Sequence, residues 1–270
     1  MADPVRVQRA GSAVARQIAY GVISSYQDYR AMFTWRSWAG GWLLRLICQV
    51  LFFATLGRLL GSAAAQGYLA FGNAAVLGPV GALGVVSSTV RERRLGTLQF
   101  LLITRADPFL VLASRGLYWV ADAVVTSSIA LAVVPVLLPV PMHWAAFPAV
   151  LGIDVLTTLS CYCLALSLTG FSVARPGLRM YLTMGVTITL MTLAGVSTPA
   201  PTTGFAGGVA GVLPLTHGLR AMRALAAGEP TPIKEIFGEV AVALAWAAVG
   251  YLVLTRALRK KVRSGSLTVG

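Results

Sequence analysis

The chain is short of charge, and shortest of acid. Nine Asp and Glu stand against 22 Lys and Arg, and charged residues make up 11% of 270. A soluble domain carries about 25%, so this surface is not built for water alone. Cysteine is scarce: Cys48, Cys161 and Cys163 all lie in apolar stretches. That predicts buried structural thiols, not a disulfide framework or a redox pair. The two histidines, His143 and His217, have no partners spaced for a metal, so no metal site is expected. The first 40 residues hold Arg6, Arg9, Arg16, Arg30 and Arg36 but no apolar core segment, so no cleavable signal peptide is expected. No G-x-x-x-x-G-K-[ST] run occurs; the three lysines, at 234, 260 and 261, have no glycine-rich setting. The chain therefore lacks that means of cradling a nucleotide phosphate. H-E-x-x-H, a G-x-S-G nucleophile turn and an Asp-rich diphosphate-binding run are also missing, as are repeats of 20–50 residues.

What fills the space is apolar. Hydrophobic residues make up 57%, with a mean hydropathy of +0.76. The reading is an all-α integral membrane protein of one domain, residues 1–270. Six spans of about 20 residues, enough to cross ~30 Å of hydrocarbon, are placed at about 42–60, 71–90, 109–138, 144–171, 180–198 and 237–256. The third and fourth exceed the need and can tilt or break near Pro135 and Pro139. Before them, Ala15, Ile18, Val22, Tyr26, Tyr29 and Phe33 recur at helical spacing, and Trp35, Trp38 and Trp42 follow. That pattern predicts a helix over 12–36 lying in the interface plane.

The net charge of +13 is explained by position. The basic residues crowd into the N-terminal 38 residues, 91–115, 172–180 and the tail from Arg256. The connections at 61–70 and 139–143 have none. The positive-inside rule then makes both termini cytoplasmic, in the inner or plasma membrane of a bacterium, and leaves no excess charge calling for nucleic acid. Residues 199–236 break the pattern. Pro199, Pro201, Gly204, Gly207, Gly208, Gly211 and Pro214 interrupt a greasy stretch. Irregular backbone survives at membrane depth only against protein or a wet cavity. A partial re-entry from the outer side is expected over 203–213. An amphipathic helix on the outer surface should follow, with Leu215, Leu219, Met222 and Leu225 on one face, ended by Gly228 and Pro230.

The most informative stretch is the basic run from Arg91. Arg91, Glu92, Arg93 and Arg94 are followed by Leu95, Gly96, Thr97, Leu98 and Gln99. Leu95, Leu98 and Leu102 fall at i, i+3 and i+7, so a helix here has one apolar and one charged face. The run resembles the first cytoplasmic loop of ABC-2 type transporter permeases. There a basic-acidic stretch and Gly-Thr-Leu-Glu form the coupling helix against the ATPase. Residues 213–223, Leu-Pro-Leu-Thr-His-Gly-Leu-Arg-Ala-Met-Arg, resemble that family's segment before its last span. The interfacial helix, six spans and outer hairpin match in order. Gln99 departs from the pattern, standing where many members have Glu, which shifts the burden toward Glu92.

The resemblance implies a permease subunit of an exporter, not an enzyme by itself. It implies a second permease copy and two copies of a separate ATPase carrying ATP and Mg, with no cofactor on this chain. The basic residues would dock electrostatically at 91–105, Leu95 and Leu98 would key in, and Gly96 would allow close approach. The substrate would be an amphipathic drug, antibiotic or lipid. Without the resemblance, the arginines stand as topology anchors.

Two carboxylates, Asp122 and Asp154, fall inside the spans, each costing on the order of 2.5–3.5 kcal/mol at a helix centre. Counting ~1.5 Å per residue brings Arg58 to a similar depth. An ion pair of Arg58 with Asp122 or Asp154 is the first reading; a substrate-facing or proton-carrying carboxylate is the second. Thr183 and Thr187 in the fifth span either line a polar path or bond back to their own helix. Gly57–Gly61, Gly204–Gly208 and the series Gly78, Gly81, Gly84 predict close internal packing. An intramembrane enzyme using Asp122 and Asp154, or a non-catalytic membrane scaffold, are the rival readings. Both leave the surface helices or the outer hairpin without a role.

Overall fold

The computed structural model describes residues 4–32, 34–59, 62–94, 107–138, 140 and 142–264. Within them the chain is helical, with no strand. Helix α1 (Pro4–Met32) leads into a capped turn, where Thr34 and Ser37 exchange side-chain and backbone bonds, and then a π-helical turn (Trp38–Leu43). Helix α2 (Leu44–Leu59) continues from it. The next span is three pieces end to end: α3 (Ala63–Ala75), α4 (Leu77–Ala82) and α5 (Gly84–Arg94). Then come α6 (Pro108–Leu137), α7 (Phe147–Ala174), α8 (Arg179–Leu193), α9 (Gly204–Val212), α10 (Thr216–Ala226) and α11 (Ile233–Ser264).

Five of these runs are long and apolar enough to cross a membrane: Trp35–Leu59, Ala63–Arg91, Phe109–Leu137, Trp144–Val173 and Ile233–Lys260. The architecture is that of an all-α, multi-pass membrane protein. The spans expected over 109–138 and 144–171 coincide closely with two of the five, and the one over 237–256 lies within a third; those expected over 42–60 and 71–90 begin seven and eight residues earlier, at Trp35 and Ala63. The span expected over 180–198 is shorter. Helix α8 has 15 residues, about 22 Å at 1.5 Å each. It stops because Gly195 turns to φ +91, which ends a helix and which a residue with a Cβ resists.

The broken second span and α7 form the centre. The Ala63–Arg91 run is the most buried of the five, and α7 packs against α4, α5, α6, α10 and α11. Small residues make this possible. A Cβ on Gly81 would lie 2.8 Å from Ala123 Cβ, and one on Gly84 would lie 2.4 Å from the Trp119 ring. One on Gly78 would lie 2.4 Å from Thr158 Oγ1. The three-residue spacing puts these glycines on one seam against α6 and α7. Gly57 likewise presses on the Gln66 backbone, whereas Gly204 and Gly208 have open space and form no seam. Gly61 lies outside the described residues.

Helix α1 packs on the third span along one narrow seam. It touches α6 over at least two turns, from Gly21 at Ser114 to Tyr29 at Tyr118 and Asp122. Its inward seam is Gly21 and Ser25; Tyr26, placed by periodicity on the apolar face, is exposed. Helix α10 also differs from expectation. It does not lie on the surface but packs into α7 and α11, with Thr216, Leu219, Met222 and Leu225 buried. The four-residue apolar face read from the sequence is the face that turns inward: Leu215, Leu219 and Met222 are fully buried and Leu225 nearly so.

Candidate functional site

Of the run at 91–99 the structure describes the backbone of Arg91, Glu92, Arg93 and Arg94 and the side chain of Arg91. Helix α5 carries the second span's backbone without interruption to Arg94, and Arg91 is exposed. Leu95, Gly96, Thr97, Leu98 and Gln99 lie outside the described residues. Beside Arg91, helices α1, α5 and α6 meet around a small recess of about 30 Å³ lined by Asp28, Tyr29, Arg115 and Tyr118. Arg115 Nη2 pairs with Asp28 Oδ2 at 2.8 Å. Asp28 is half exposed, so the pair adds at most about 1 kcal/mol and mainly sets register.

Asp122 stands two turns further along α6. Its Oδ1 accepts from Tyr29 Oη at 2.9 Å and from Trp38 Nε1 at 2.7 Å. One carboxylate oxygen thus ties α1 and the π-helical turn to the third span. Burial, then the hydrogen bond to Asp122, raises the Tyr29 phenol above its usual value. It stays a neutral donor throughout the working pH range.

Asp154 is fully buried on α7, and its Oδ2 accepts from Ser127 Oγ at 2.6 Å. Its Oδ1 and the Thr158 hydroxyl have no hydrogen-bond partner among the described residues. The expected ion pair with Arg58 does not form. Arg58 is exposed near the end of α2, and both carboxylates take uncharged donors from other elements. The depth count ignored direction: α2 turns the Arg58 position outward while Val50, Ala54 and Gly57 face in. The two carboxylates also have separate partner sets. Thr183 and Thr187 bond back to Arg179 O and Thr183 O, both at 2.9 Å, so their hydroxyls are spent on their own helix. Of the three thiols, Cys161 is buried, Cys163 half-buried and Cys48 exposed, the last against the expectation of burial.

A further carboxylate, as buried as Asp154, went uncounted in the sequence. Glu239, on α11 and fully buried, accepts from Leu215 N and Gly218 N, each at 3.0 Å. It closes the N-terminus of α10, which lacks a side-chain cap of its own. Leu215 there adopts φ 80, a strained conformation for a leucine. A turn earlier on α11, Glu235 Oε2 lies 2.7 Å from His217 Nδ1. The signal was present: Glu239 falls inside the span expected over 237–256, but its partner groups are backbone N–H, which no side-chain motif announces.

The other end of α10 is held by a cation. Arg223 donates to Gly195 O at 2.7 Å, to Tyr68 O at 3.2 Å and to Val196 O at 3.4 Å. Its guanidinium lies 3.5 Å from the centroid of the Tyr68 ring. Tyr68 Oη donates to the same Gly195 carbonyl at 2.8 Å. The carbonyls freed where α8 breaks are thus satisfied by one stacked Arg–Tyr pair. Two cavities flank that pair, of about 390 Å³ and 470 Å³. Among the described residues no cluster of His, Cys, Asp and Glu suits a metal ion. No protein-family model matches the chain, and no curated protein matches it.

Proposed function

We propose that the chain is the membrane-spanning subunit of an ATP-driven exporter of the ABC-2 type, working with a separate ATPase. The observation that carries this reading is the sequence run Arg91–Gln99, whose first four residues, Arg91 to Arg94, continue a helix packed at the centre of the bundle. A push on that run would be felt along α5 and α4 against α6 and α7, because the glycine seam leaves no slack. Helix α1, tied to α6 through Asp122 and Asp28, stands beside the same place and would move with it. In this reading α8 and the bent stretch after it make the fifth of six crossings, and α9 and α10 form the outer hairpin. Two copies of this chain would enclose the path, and the cargo would be amphipathic. The separate partner sets of Asp122 and Asp154 give no support to a shared catalytic site.

The test is biochemical. The chain, tagged and purified from its own cell in mild detergent, should carry a Walker-type ATPase at equal stoichiometry. Glu92→Arg should leave membrane insertion unchanged and remove the bound ATPase activity. Recovery of the chain without any nucleotide-hydrolysing partner would refute the reading.

A further inference from the structure

We infer that the two cavities beside Arg223 form one site for an amphiphile with a single negative charge, at the end of the bundle opposite Arg91. The cavities share Tyr68, Arg223 and Ala227 as a common wall. They differ in chemistry on either side of it. The 390 Å³ cavity is walled by Ala63, Gly67, Phe71 and Val140, with no charged side chain beyond Arg223. The 470 Å³ cavity adds Arg220 and Glu229. Each volume is within the range of small-molecule sites, about 300–1,000 Å³. An apolar compartment joined to a cationic one is the shape of an amphiphile's tail and head.

The charges narrow the head group. Arg223 spends both terminal nitrogens on carbonyls, and its buried Nε has no partner among the described residues. Arg220 is one turn away at i, i+3 and only half exposed, yet it enters no ion pair among the described residues. A partly desolvated guanidinium without a partner is a costly arrangement that an anion would repair. Glu229, exposed on the same wall, reduces the net charge of the site to one positive unit. A monoanion such as a phosphodiester or a carboxylate balances it; a dianion overcharges it. The tail would lie over the Tyr68 and Phe71 rings, where each buried methylene strengthens the hold.

No ATPase is needed for this binding, so failure here leaves the transport reading where it stood. The test uses the full-length chain in a neutral maltoside detergent. Retained ligand is counted by native mass spectrometry after addition of dodecyl methyl phosphate, dodecanol or inorganic phosphate. One dodecyl methyl phosphate per chain should be retained at saturation, with dodecanol and inorganic phosphate at least tenfold weaker. Arg220→Gln should lower retention about tenfold with an unchanged unfolding midpoint, and Arg220→Lys should restore most of it. Ala63→Trp, which fills the apolar compartment without touching a charge, should abolish retention. Equal retention of dodecanol, unsaturable uptake of the phosphate, or full retention by both Arg220→Gln and Ala63→Trp would overturn the inference.

Discussion

Glu239 shows how a single side chain can hold a segment that has no strong fold of its own. Its two oxygens take the N–H groups of Leu215, the N-cap, and Gly218, in the first turn of α10, in a place water does not reach. An anion at a helix N-terminus is favoured twice, by the bonds and by the dipole. Glu239→Ala should therefore leave two buried donors unpaired, each costing on the order of 1–3 kcal/mol. Thermal unfolding in detergent would report this as a lowered midpoint. Glu239→Gln keeps one carbonyl oxygen as an acceptor and should fall between the two. Equal midpoints for all three would show that α10 is held by its apolar face alone.

At the scale of elements, the contact between the second span and its neighbours depends on missing side chains. Gly84→Ala would press a methyl into the Trp119 ring, an overpacking worth about 1–3 kcal/mol. Gly152, on α7, has nothing within 4 Å of an added Cβ. Gly152→Ala should be neutral or raise stability by up to about 1 kcal/mol, since alanine is the better helix former. The contrast between these two variants, read as unfolding midpoints in one detergent, checks the seam against glycine content in general. The seam was legible in the sequence, because Gly78, Gly81 and Gly84 repeat on one face and a repeat of small residues in an apolar helix means close approach. The Gly204–Gly208 pair has the same look and no seam. Spacing states that a face is small; it does not state that a partner comes to it. Arg58 carries the same lesson for charge. Depth along the membrane was countable from the span ends, but the rotation of α2 about its axis was not.

For the whole molecule, the two ends of the bundle differ in kind. One carries Arg91, the Asp28–Arg115 pair and the clamp at Asp122; the other carries Ala63, the Arg223–Tyr68 stack and Glu229. In the proposed reading the first faces the cytoplasm, as the positive-inside rule would have it. With the native cysteines replaced by serine, Arg91→Cys should react with an impermeant maleimide only in inverted vesicles. Glu229→Cys should react only in intact cells or right-side-out vesicles. The reverse pattern would invert the topology and remove the basic run from reach of any cytoplasmic ATPase.

The sequence by itself determined the class, the number of long apolar helices to within one, and most of their limits. Those follow from local quantities: a run of apolar residues must span or be buried, and proline, glycine and charge mark where it stops. It also determined which face of α10 turns inward, because that face differs from the others in composition. Only the tertiary structure decided that α1 climbs along α6, that Glu239 closes a helix 24 residues away, and that Arg223 and Tyr68 satisfy the carbonyls where α8 breaks. Each of these joins a side chain to a backbone group or a small-residue seam in a distant element. Backbone N–H and C=O groups are present at every position, so nothing in the one-dimensional chain marks which of them will be left open for a distant side chain to fill.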